Sequence, residues 1–264
     1  MHARLPAALL AVSALAACAT TGGAQHAAVD TTGAPEGARP VDRHARQQIT
    51  REDMLTQMAF WAAEYQTFPN DLEAAQRFAE ALRKGGRLDR AVQIAGEAIG
   101  RFPEDRTLLS TYGLAQIASG HPQEALRPLA LVAAGEPENW RVRMALGAAL
   151  DQLGRFGEAR RAYQEALALE PNNPRVLTNL GVSHIMAGEA ADAEPILRQA
   201  AAMANAPAEA RQNLAIALAL QGKFEEAEQI ERVDLPPAQA AQNMQFLRGL
   251  LSDPRRWNDV GRPG

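Results

Sequence analysis

Small and apolar positions along most of the chain recur on two scales, at helical spacing within short blocks and at a longer step between blocks. Glycine stands at Gly86, Gly120, Gly154, Gly188 and Gly222, and alanine at Ala91, Ala125, Ala159, Ala193 and Ala227, both series advancing in steps of 34. Larger side chains keep the same step at Phe78, Tyr112, Leu146, Leu180 and Leu214. So do Pro69, Pro103, Pro137 and Pro171, and the polar set Asp71, Asp105, Asn139 and Asn173. Several series held in phase define one repeated unit, and such a period takes precedence over any helix-by-helix reading.

The chemistry of each position says what the unit is. An Asp or Asn just after a Pro-containing turn caps a helix by accepting from its free backbone N–H groups. Pro174 then falls at a first helical position, where a missing N–H costs nothing. Fifteen positions after each cap, the glycine series supplies the left-handed residue that ends a helix. The helix that follows opens with an acid (Glu124, Glu158, Asp192, Glu226), favourable at the positive end of its dipole. The alanine series predicts close contact between the two helices. The fold class is therefore all-α, a solenoid of about five helix pairs.

Residues Trp140–Asn173, with Leu146-Gly147, Leu150, Gly154, Phe156, Ala159, Tyr163, Ala166 and Pro171, closely resemble the tetratricopeptide repeat. The resemblance implies a right-handed superhelix built from units 72–105, 106–139, 140–173, 174–207 and 208–241. Residues 49–71, with Phe60, Trp61, Tyr65 and Phe68, read as an N-terminal half-repeat helix. Residues 242–252, with Met244, Phe246, Leu247 and Leu250, read as a capping helix, and 253–264 as a loose tail containing Arg255-Arg256-Trp257. Pro128, inside the second helix of its unit, is expected to bend that helix, whereas Pro195 lies nearer a helix start. In the last unit Glu231 and Asp234 replace apolar and small residues, and Pro236-Pro237 ends the helix.

Ahead of the repeats, residues 1–17 combine a basic start (His2, Arg4) with an apolar run too short to span a bilayer, which reads as an export signal. Leu15-Ala16-Ala17-Cys18 resembles a bacterial lipobox, which implies lipidation of Cys18. Ala19 after the cysteine implies sorting to the outer membrane, with the chain facing the periplasm. Residues 18–48, rich in Thr, Gly, Ala and Pro, then read as a flexible tether with an r.m.s. reach of about 30 Å.

Within each first helix, unit positions 2, 5, 9, 12 and 13 lie opposite the side that faces the paired helix. In the first unit that stripe is charged: Glu73, Gln76, Glu80, Arg83 and Lys84. From the second unit it turns apolar, and its candidate partner-binding residues are Leu114, Ile117, Arg141, Met144, Asp151, Arg175, Thr178, Val182, Ile185, Met186, Gln212, Ile216 and Leu220. A sustained apolar strip suits an amphipathic helix or an extended peptide from a protein partner. Self-packing of the strip against neighbouring repeats is the competing reading. The family's clamp for chaperone carboxylates, as the resemblance implies it, needs Lys at position 5 and Asn at position 9. Position 5 here reads Gln76, Ser110, Met144, Thr178 and Gln212, and position 9 Glu80, Leu114, Ala148, Val182 and Ile216, so no unit starts that clamp.

Composition narrows the rest. Of 264 residues 27 are Lys or Arg and 31 Asp or Glu, a net charge of −4, which argues against a nucleic-acid partner. One cysteine excludes an intramolecular disulfide and a multi-cysteine zinc site. No phosphate loop, nucleophile elbow or HExxH run is present, and His184 falls where Leu82, Leu150 and Leu218 stand in other units, a packing position. The reading is a non-enzyme with no catalytic residue, no metal site, no cofactor and no small-molecule substrate. Signal, tether and repeats together resemble the TadD lipoproteins of the Flp/Tad pilus apparatus and, more loosely, the tetratricopeptide pilotins of type IV pilus systems. That resemblance implies a scaffold in pilus or secretin assembly; the alternative is a periplasmic adaptor for cell-wall or outer-membrane biogenesis enzymes.

Overall fold

The computed structural model describes residues 40–252. The signal segment, Cys18, most of the tether and the 253–264 tail lie outside the described residues. Thirteen helices run through the described residues, with no strand among them. They fall into two compact units, residues up to Gly135 and residues from Glu136 onward.

The first unit holds α1 (Arg43–Ile49), α2 (Met54–Thr67), α3 (Leu72–Lys84), α4 (Leu88–Arg101), α5 (Arg106–Ala118) and α6 (Pro122–Gly135). The second holds α7 (Trp140–Gln152), α8 (Phe156–Leu169), α9 (Pro174–Met186), α10 (Ala190–Ala201), α11 (Ala208–Leu220), α12 (Phe224–Glu231) and α13 (Pro237–Ser252). The five expected units each become one antiparallel helix pair.

The repeat chemistry acts as the sequence demands. Asp71 and Asp105 accept from the backbone N–H groups of Ala74 and Leu108 at 3.0 and 2.8 Å, and Asn139 and Asn173 from those of Arg141 and Arg175 at 3.1 and 3.0 Å. Each such cap contributes about 0.5–2 kcal/mol. Gly86, Gly120, Gly154, Gly188 and Gly222 take φ between 71° and 81°. In each case the next residue's N–H reaches back to the helix, as Arg155 N–H does to the Leu150 carbonyl at 2.9 Å, closing the helix end. All five alanines of the series are fully buried. Close approach within a pair also needs glycine: a Cβ at Gly147 would stand 2.5 Å from the Tyr163 ring, and one at Gly181 2.5 Å from Leu197.

Both ends of the array depart from expectation. The second helix of the first pair, α4, covers 88–101, and α2 covers 54–67, one full repeat earlier. The α1 helix occupies part of the place where that unit's first helix belongs. The N-terminal element is thus a shortened whole pair rather than a half repeat, and residues 43–48 are helix rather than tether. The physical reason is Arg46, whose buried guanidinium gives α1 an anchor that its polar sequence lacks. At the other end α12 stops after eight residues, at Glu231, whereas its counterparts run for 12–14. The capping helix starts at Pro237, earlier than the expected 242. It buries Met244 and Leu250 but leaves Phe246 exposed. The α6 helix continues through Pro128 and α10 through Pro195. No described helix is long and apolar enough to cross a membrane.

Candidate functional site

In the second unit, α7, α9 and α11 bury their backs and leave one stripe accessible. Position 2 is exposed on all three, at Arg141, Arg175 and Glu209. Position 9 is half-buried on all three, at Ala148, Val182 and Ile216, and position 13 continues the line with Gln152, Met186 and Leu220. Met144 and Gln212 are half-buried beside these rows, as are Asn179 and Asn213. In the first unit Leu114 and Ile117 are likewise half-buried on α5. At 3.6 residues per turn, positions 2, 9 and 13 fall within about 20° of one line, which explains why they share an accessible row.

Three residues of the predicted strip do not belong to it. Ile185 is buried in a core with Leu197, Leu214, Leu218 and Met244. Thr178 is buried, with its hydroxyl donating to the Pro174 carbonyl at 2.7 Å. Asp151 is buried as well, accepting from the Tyr163 hydroxyl at 2.8 Å and the Ser183 hydroxyl at 2.6 Å. Position 12 lies about 80° from the line through 2, 9 and 13, so on α7, α9 and α11 it turns into the interior. For these positions the self-packing reading holds.

The Asp151 cluster ties α7, α8 and α9 together. Burial pushes its carboxyl up to about 6, against the opposing pull of the Ser183 and Tyr163 hydrogen bonds and the charge of Arg160. Burial also raises the Tyr163 phenol, as does the neighbouring carboxylate. His184, Glu189 and Asp192 bring potential ligand atoms within 4.8 Å of one another. However, Glu189 Oε2 already takes Arg160 Nη1 at 2.8 Å and His184 Nδ1 at 2.8 Å. A guanidinium on that oxygen opposes a bound cation, so the group reads as an ion-pair network. His184 is half-buried at the end of α9.

The first unit has a second buried polar centre that sequence reasoning missed. Arg46 Nη2 lies 2.5 Å from Glu64 Oε2 and 2.6 Å from Asp71 Oδ2, and Nη1 lies 3.0 Å from Glu73 Oε2. Its guanidinium stands 5.6 Å from the Trp61 ring centroid. These hydrogen bonds hold its pKa above the usual arginine value and lower that of Asp71. The signal was available: Arg46 precedes Glu80 by one full repeat and so holds position 9 of the shortened unit.

Comparisons with known proteins agree with this architecture. One tetratricopeptide-repeat model matches residues 116–180 and 152–199, and a second matches 77–139 and 178–240. No curated protein matches the chain. Among solved structures, MamA MSR-1 is 28% identical with a TM-score of 0.51, over 58% of this chain and 88% of that one. MamA AMB-1 is 26% identical with a TM-score of 0.50, over 58% and 91%. MamA from Desulfovibrio magneticus RS-1, 20% identical with a TM-score of 0.54 over 60% and 89%, shares the fold. Residues 77–240 are an array of tetratricopeptide repeats, and the chain belongs to that repeat family.

Proposed function

We propose that the chain is a non-catalytic scaffold that holds a segment of a protein partner on the accessible face of α7, α9 and α11. The observation that carries this reading is the apolar row Ala148, Val182 and Ile216, kept accessible at one register while the backs of the same helices are buried. Tetratricopeptide arrays suit such a role because stacked helix pairs present a continuous surface to an extended or helical segment.

The finer reading is that Cys18 carries a lipid anchor and that the scaffold serves Flp/Tad pilus or secretin assembly at the outer membrane, facing the periplasm. Its support is the Leu15-Ala16-Ala17-Cys18 sequence and the combination of signal, tether and repeats. Cys18→Ser should yield a folded chain released from the membrane, and retention after a high-salt wash would contradict the anchor. A photo-crosslinker at position 182 identifies the partner; Ile185, being buried, is unsuitable for it. Capture of a secretin or pilus subunit supports the pilus reading. Capture of cell-wall or outer-membrane biogenesis enzymes replaces it with the adaptor role, and self-crosslinks alone contradict the binding face.

A further inference from the structure

In residues 136–252, fifteen acidic side chains outnumber eleven basic ones. Eight of the eleven basic side chains lie within 3.6 Å of a carboxylate. The three with no such partner among the described residues are Arg141, Arg161 and Arg175. Two of these, Arg141 and Arg175, stand one repeat apart at position 2 of α7 and α9, and both are exposed. They head the two rows that continue through the half-buried Ala148 and Val182. The Arg141 guanidinium lies 4.5 Å from the Trp140 ring centroid, a contact that narrows its rotamers. The third row is headed by an acid, Glu209, also exposed.

An acid-rich unit that pairs most of its bases internally yet leaves two beside its apolar row has a surface complementary to negative charge. We infer that the segment docked on this face is an acidic peptide. It sets apolar side chains against Val182 and Ile216 and places Asp or Glu near Arg141 and Arg175. This rests on the binding-face reading given above. Glu209 adds direction, since the acidic end must lie toward α7 and α9 and away from α11. Exposed charges of this kind select between partners and steer encounter more than they add raw affinity. A lysine-bearing segment would meet like charge on two of the three rows.

The test is selection of a random dodecapeptide library, displayed on phage, against the full chain. The expected pool is enriched in Asp and Glu beside apolar residues. Its peptides should lose at least tenfold in affinity to the Arg141→Glu/Arg175→Glu chain and to the Val182→Asp chain. The double charge reversal should also come to prefer lysine-substituted versions of the same peptides. Both arginines are exposed and without carboxylate partners among the described residues, so an unchanged melting curve is expected for the reversal. Basic or uncharged peptides that are lost in Val182→Asp but indifferent to the arginines would overturn the acidic partner and leave the face standing. An unenriched pool, or binding indifferent to Val182→Asp, would overturn both.

Discussion

Arg46 in the first unit and Asp151 in the second are equally hidden, 6% and 5% exposed, yet their surroundings treat their charges in opposite ways. Arg46 faces three carboxylates, so its charge is compensated and its pKa is raised. Asp151 takes its hydrogen bonds from two hydroxyls, and the charge of Arg160 acts on it without forming an ion pair. Burial therefore dominates and its carboxyl is pushed up to about 6. Both side chains belong to first-helix positions: position 9 is half-buried in each of the other repeats, and position 12 is half-buried at Arg83 and Ile117 but buried at Ile185 and Ala219. The difference teaches that a solenoid position is not intrinsically lining or core; the side chains packed around it, from its own helix pair and the next one, decide.

The comparison can be broken most forcefully at Arg46. Arg46→Met leaves Glu64 and Asp71 facing each other without their cation. The expected cost is about 3–5 kcal/mol, seen as a lower urea midpoint and as loss of hydrogen-exchange protection in α1.

The contrast is sharpened by pH. The Asp151 carboxyl gives up its proton near 3.8 when unfolded and near 6 when folded, so between these values the native state holds more protons. Its contribution is greatest below about pH 4 and is lost as pH rises through about 6, a change of about 3 kcal/mol. Glu194, pulled down to about 2 by Lys223 and Arg198, acts with the opposite sign. The measurement is therefore the stability difference between wild type and Asp151→Asn across pH 4–7. It should favour the wild type most at the acid end.

Packing mutations separate these polar centres from the general repeat scaffold. Ala159→Leu should cost about 1–3 kcal/mol by overfilling a fully buried helix contact, read from the denaturation midpoint. Gly154→Ala should cost about 1 kcal/mol by the same measurement. Its positive φ strains any side chain, although a Cβ there would meet no neighbouring atom.

The repeat scaffold was legible because its chemistry is local and recurs. A left-handed glycine and a small residue each act within a few positions and return in all five repeats, and the Asp or Asn cap precedes four of them. The α1 helix was legible only through the 34-residue phase that sets Arg46 one repeat before Glu80: Arg-His-Ala-Arg-Gln-Gln-Ile has no apolar stripe, and Arg46 is fixed by partners 18, 25 and 27 residues away. The accessible face proposed for binding was legible in part. Val182, Ile216, Met186 and Leu220 stay accessible, whereas Ile185, Thr178 and Asp151 are buried by neighbours that a single-helix projection does not include. Position 12 lies at the edge of that projection, where the next helix pair determines burial.

The central claim is that the row through Val182, and not the buried line through Ile185, is the working surface. Its most direct test is partner capture and thermal melting measured on the same Val182→Asp chain, with the crosslinker at position 216. The account predicts that capture is lost while the melting temperature stays within experimental error of wild type. Undiminished capture by the folded Val182→Asp chain would contradict it.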